Sequence, residues 1–244
     1  SDASRNKNAL PCHIPAAHRA PFPMRHDATL PDQLSSSLNP DGLVIFLFHG
    51  VIEKNHHPVR NYTGKHLEKE LFEACIARLT REGRALSMDQ VLEFCSGQKP
   101  IPPRSYAITF DDGFENNVTI AGPILQRWKT PAMVYLTTAF VEENRMSWID
   151  RIERAVEETS EKSIKSEHSP LSFPLINRDD KITFLNAVRA YVKNNPDCDP
   201  EKIADRICAQ LRDRREGRSN DPLDRKLSWQ QIREARESGI LAFG

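Results

Sequence analysis

Two adjacent carboxylates, Asp111 and Asp112, close the apolar run Ser105-Tyr-Ala-Ile-Thr-Phe110, and Gly113 follows them with the backbone freedom for a sharp turn. Two ionised groups this close repel each other. The arrangement makes chemical sense when one carboxylate binds a cation and the other handles a proton. Asp-Gly is also an ordinary turn signal, and an Asp pair after a strand can cap the next helix. On these residues alone both readings stay open. His49 stands in a comparable place, after the apolar run Leu43-Val-Ile-Phe-Leu-Phe48 and before Gly50. Short apolar strands alternating with helical stretches argue for a parallel α/β fold of barrel type, in which catalytic groups gather at the C-terminal strand ends. His49 and the aspartate pair both lie at such ends.

Three segments carry a family resemblance: Leu43 through His49-Gly50, the run Thr109-Phe-Asp-Asp-Gly113, and Thr130-Pro-Ala-Met-Val-Tyr-Leu-Thr-Thr138. In order and spacing they resemble NodB-like polysaccharide deacetylases, whose first motif is T-F-D-D-G. The resemblance implies a distorted, incomplete TIM-like barrel and hydrolysis of an N-acetyl or other N-acyl group on an amino sugar, with a saccharide as partner. By position it makes Asp111 the catalytic base and Asp112 a ligand to a divalent metal, usually zinc, whose bound water would attack the amide carbonyl. His49 is expected to line the site or hydrogen-bond there rather than ligate. The family's second motif, His-[Ser/Thr]-x-x-His, supplies the other ligands from one face of a helical turn, and no such pair occurs in these residues. The segment from Trp229 to Gly244 resembles the helix and strand that lead into that motif. The later motifs, with an Arg that orients the base, an acetyl-pocket loop and a His acid, are absent too. The chain therefore reads as the front portion of a deacetylase domain, residues 42–244, holding half of a metal centre. One carboxylate does not hold catalytic zinc, so these residues alone predict weak or absent metal binding and no deacetylase activity.

Two other readings are compatible with the same residues. An inactive pseudoenzyme or saccharide-binding remnant would bind sugar regardless of chelator. Magnesium-assisted phosphoryl transfer would use strand-end carboxylates, but the pair is adjacent rather than spaced by one residue and no Gly-rich phosphate loop accompanies it.

The 244 residues are enough for one sizeable core. Hydrophobic residues at 39% and charged residues at 28% fit a soluble globular protein, and 34 basic residues balance 34 acidic ones, so no broad positive field argues for nucleic acid or an anionic membrane. No run of about 18 apolar residues suggests a membrane span, and no signal-peptide pattern opens the chain. Five cysteines, Cys12, Cys75, Cys95, Cys198 and Cys208, form no C-x-x-C pair. This fits a reducing cytoplasm, with Cys75 and Cys208 as small core residues.

Residues 1–41 are rich in Pro, Ser, Asn and His without a sustained period, which predicts an extended or poorly ordered lead-in. Within it, Cys12, His13 and His18 lack the supporting fold of a metal site, and Met24 is a plausible alternative initiator. Residues 43–48 read as a first strand buried on both faces. A helix carrying Leu67, Leu71, Phe72, Cys75, Ile76 and Leu79 follows, with His66 at its start, and Ser87 caps a second helix through Cys95. Residues 114–129 look helical apart from Pro123, and 132–137 form the third strand. Residues 141–226 read as a helical insertion without strands, with helices around Trp148–Val156, Ile182–Val192 and Ile203–Leu211. Its two polar stretches, 157–169 and 212–225, read as mobile, solvated loops, and it could cover the barrel mouth or support dimerisation. His56 and His57 are expected on the surface and His168 in an insertion loop. Ser228 caps the last helix, Gly239 ends it, and 240–243 is the next strand.

Overall fold

The computed structural model describes residues 27–97, 99–165, 172–215, 217 and 219–244. Cys12, His13, His18, Met24 and His168 lie outside the described residues.

The main sheet joins β1 (Leu43–Phe48), β5 (Ser105–Phe110), β6 (Ala132–Val134) and β9 (Leu241–Phe243), all parallel and in that order, while β4 (Arg84–Ala85) pairs with the start of β5. Along this path each later strand adds beside the previous one with helix between. That is how a (β/α) barrel winds, whereas a doubly wound sheet reverses direction at a switch point. The described strands form an open arc of such a barrel, ending at β1 and β9. A second parallel pair, β2 (Gly50–Ile52) with β3 (His66–Glu68), extends from the end of β1.

The strand tips are anchored from below. Phe48 and Phe110, the residues before His49 and Asp111, pack with Phe72 of α2 (Lys69–Glu82) at ring-centroid distances of 5.4 to 5.9 Å, with all three buried. Burying each ring contributes about 1.5–3 kcal/mol, so the last turn of each strand is firmly seated. Ser87 caps α3 (Met88–Cys95) through a capping box with Gln90, and Ser228 does the same for α9 (Trp229–Arg236) with Gln231. Gly239 adopts a φ of 69° beyond α9, and Cys75 and Cys208 are buried core residues.

Several expectations need correction. The described part of the lead-in is not extended: α1 (Leu30–Ser36) buries Leu30 and Leu34 in the main core, with Leu38 just after it. Its apolar positions are too few to register as a period. β1 is not buried on both faces, because it ends the sheet, and Ile45 and Leu47 are each 47% exposed. His66 belongs to β3, not to a helix start, and is buried. Residues 117–121 form a π-helical turn before α4 (Gly122–Arg127), and Pro123 stands at the start of α4, one of the places where a residue without an N–H is tolerated.

α5 (Thr138–Glu143) leads into the insertion and buries Val141 in the main core, whereas α6 (Trp148–Glu158), α7 (Arg178–Asn194) and α8 (Pro200–Gln210) surround the insertion's own core, which includes Ile152, Val156, Leu185 and Ala204. It also holds an antiparallel pair, β7 (Ser163–Lys165) with β8 (Ser172–Pro174), in a region read as strandless. Three-residue strands carry too little alternation to be seen in sequence. The stretch 212–225 is no simple solvated loop either: Asp213 pairs with Arg154 and Arg215, Arg225 pairs with Glu115, and Asp224 is buried against Arg60. His57 is not a free surface residue, since its ring reaches Glu157 at 2.7 Å and Asp221 at 3.1 Å.

Candidate active site

The β5 strand is buried along its whole length, and the ladder continues one step further as the Asp111 amide donates to the Phe48 carbonyl at 3.0 Å. The chain then turns through two successive left-handed residues, Asp112 at φ 71° and Gly113 at φ 63°. Asp tolerates that region better than most side chains, and a Cβ on Gly113 would come within 2.8 Å of Leu136. Neither aspartate caps the following helical turn, whose N-cap is Asn116. The turn is instead clamped by the returning end of the insertion: Glu115 N–H donates to Arg225 O and Leu227 N–H to Gly113 O, both at 2.9 Å.

His49, Asp111 and Asp112 come together at the tips of β1 and β5. Burial pushes the Asp111 carboxyl up, His49 opposes this when it is protonated, and the neighbouring charge of Asp112 adds to it. Burial pushes the His49 imidazole down, as does Lys65, against the pull of Asp112, Asp111 and Asp150. A half-buried carboxylate with a raised pKa is a better proton acceptor than an ordinary one. Gly50 brings the backbone close beneath, since a Cβ there would lie 2.1 Å from His66 Nδ1 and 2.7 Å from Asn116 Oδ1.

The rest of the site comes from residues that the sequence reading passed over. Lys65, before β3, donates to both oxygens of Asp150 at 3.0 and 3.2 Å and lies 3.6 Å from Asp112 Oδ2. Asp150 belongs to α6, where Ser147 is the N-cap and its hydroxyl donates to Asp150 Oδ2 at 2.7 Å. Burial alone would raise the Asp150 carboxyl, but Lys65, Lys226 and Ser147 outweigh it and hold it well below the usual range. Lys226, pushed down to about 8 mainly by burial, sits over the Phe114 ring at 3.2 Å from its centroid and 5.0 Å from that of Phe140. Its Nζ makes no hydrogen bond among the described residues. The Asn116 amide accepts from Val51 N–H and donates to His66 Nδ1 and to Pro222 O, which ties β2, β3 and the insertion together behind the site. Burial keeps His66 neutral, and its ring stacks edgewise on Phe114 at 4.6 Å.

A signal for Asp150 was available: Ser147 followed three residues later by an acid is a helix-start pattern, and the cap carries the carboxylate inward. Lys65 and Lys226 had no such signal, because a lysine in a polar stretch ordinarily points to solvent.

The donor set was weighed against a divalent metal. Asp112 offers one oxygen donor, its Oδ2 already faces the Lys65 ammonium, and among the described residues there is no group of three His, Cys, Asp or Glu side chains able to hold an ion. By themselves these residues do not fit zinc, which takes three protein ligands in catalytic sites. No helix among the described residues is long and apolar enough to cross a membrane.

No family model matches the chain, and no curated protein matches it. Among solved structures it is similar to a de-N-acetylase from Aggregatibacter actinomycetemcomitans, at 13% identity and a TM-score of 0.45, covering 83% of this chain and 53% of that one. It is also similar to IcaB from Ammonifex degensii, at 16% identity and a TM-score of 0.42, covering 84% and 53%. A third is the deacetylase PplD from Streptococcus pyogenes, at 16% identity and a TM-score of 0.37, covering 83% and 82%. The chain spans about half the length of the first two.

Proposed function

We propose that the chain carries the strand-tip half of an amide hydrolase site acting on an N-acylated amino sugar in a glycan. The observation that supports it best is Asp111 itself: a half-buried carboxylate with a raised pKa, at the tip of a fully buried central parallel strand, in a T-F-D-D-G run and beside His49. In this reading Asp111 takes the proton from the attacking water. His49 lines the site within electrostatic reach of both aspartates. Asp112, turned by its left-handed backbone, is the carboxylate set aside for a cation. The described residues do not complete a metal site, so no step is assigned to one.

Acetate release from N-acetylglucosamine oligomers by the protein at its full natural length tests the proposal. Asp111→Asn should lower the rate by about 10²-fold or more, the range for loss of a positioned base. Turnover unchanged by that substitution would contradict it.

One observation favours a second reading, a saccharide-binding protein without catalysis: the ammonium of Lys65 stands 3.6 Å from Asp112 Oδ2. That reading expects saccharide binding that is indifferent both to chelator and to Asp112→Ala.

A further inference from the structure

The main sheet has one buried face and one open face. Its parallel register sets Phe48, Phe110 and Val134 abreast, and all three are buried in the main core. The ladder then runs one residue further: Asp111 N–H donates to Phe48 O at 3.0 Å, Tyr135 N–H to Phe110 O at 2.7 Å and Gly244 N–H to Val134 O at 3.0 Å. His49, Asp111, Tyr135 and Gly244 are therefore the next row, and strand alternation turns that row to the opposite face. Two residues back, Leu47, Thr109 and Met133 form another row on the same face, with Ile45 behind Leu47. Ile45 and Leu47 are each 47% exposed and Tyr135 is 42% exposed. Large apolar side chains exposed together on one face mark a binding surface, where singly scattered ones do not. Tyr135 belongs to the strand tip beside that of Asp111. Its ring lies against the Gly244 backbone, where a Cβ would come within 3.3 and 3.4 Å of Cδ1 and Cε1.

We propose that Tyr135 is a sugar platform: the pyranose ring of the reacting amino sugar stacks on it, and this carries the N-acyl group to Asp111 one strand away. The proposal rests on the reading of the site as one that acts on an N-acylated amino sugar. A tyrosine offers a flat apolar face and a polar tip, and a pyranose offers the matching pair, a face of C–H groups and an edge of hydroxyls. Neighbouring strands lie about 4.8 Å apart, on the scale of the arm between a sugar ring and the carbonyl of its N-acyl group. Leu47 and Met133 continue the apolar floor behind the row. Tyr135 is thus a residue of sugar recognition, while proton transfer belongs to Asp111.

Calorimetric titration of the protein at its full natural length with an N-acetylglucosamine pentamer tests it without any need for turnover. Tyr135→Ala should weaken binding about tenfold or more, the scale of a lost aromatic contact, whereas Tyr135→Phe keeps the ring and should stay within about twofold of the wild type. Tyr135→Leu should behave like Tyr135→Ala, because it keeps apolar bulk without a flat face. Wild-type affinity in Tyr135→Ala or Tyr135→Leu overturns the proposal, as does a loss in Tyr135→Phe equal to that in Tyr135→Ala, or a wild type that does not bind the pentamer. An Asp111→Asn variant that keeps its acetate release would sink the hydrolase reading while leaving the platform standing.

Discussion

The main sheet and the insertion build their interiors differently. Around β1, β5 and β6 the core consists almost wholly of apolar side chains, and charge appears only where the strands end, at His49, Asp111 and Asp112. The insertion buries an apolar core too, but α6 also buries Asp150, Glu153 and Arg154. Each of these has partners: Asp150 has Lys65, Glu153 has Arg189, and Arg154 has Asp213. A buried charge is tolerated only when it is paired, so α6 is specified by which loops and helices bring opposite charges to it. The sheet places the site, and the insertion supplies its electrostatic setting.

That contrast can be broken by experiment, beginning with the largest effect. Asp150→Ala leaves Lys65 and Lys226 without their shared buried counter-charge and should cost about 3–5 kcal/mol in urea denaturation. A cost within that of a surface substitution would mean that the two regions are not electrostatically joined. Lys226 gives a pH signature. In the unfolded chain it stays charged up to its ordinary 10.5, but in the fold only up to about 8, so between these values the unfolded state binds more protons. The stability of the wild type relative to Lys226→Met should therefore rise between pH 8 and 10.5, by about 3 kcal/mol at most, with the penalty of the buried charge fully present below that window. A flat difference would show that Lys226 is not buried as a charged group. On the sheet side, Gly50→Ala forces a methyl against His66 and Asn116 and should cost about 1–3 kcal/mol in the same denaturation series, the range for overpacking. Neutral behaviour would mean that the wall behind the site is looser than its contacts indicate.

How much of this was legible in the sequence follows the same division. The runs Leu43–Phe48 and Ser105–Phe110 announced their strands because short, mostly apolar runs of strand length are how parallel strands are written, although only the second lies in the sheet interior. Ser87 and Ser228 announced helix starts because their hydroxyls satisfy amides that the helix leaves open. Asp111, Asp112 and His49 were visible because polar residues directly after such runs must lie at strand tips. The half-exposure of Ile45 and Leu47 was not visible, because whether a strand ends a sheet depends on which strand pairs beside it. Lys65, Asp150 and Lys226 were not visible for a related reason. Their burial arises from contacts between residues far apart in the chain, and a charged residue in a polar stretch looks the same whether it faces water or a distant carboxylate. His57, held between Glu157 and Asp221, was misread on the same ground.

The claim that the insertion is part of the strand-tip site is tested most directly by a double-mutant cycle on Lys65→Met and Asp150→Asn, read by urea denaturation of the full chain. The short, buried, two-oxygen contact predicts a coupling of about 2 kcal/mol between the two substitutions. Additive effects, with coupling below about 0.5 kcal/mol, would contradict it and reduce the insertion to a neighbour of the site.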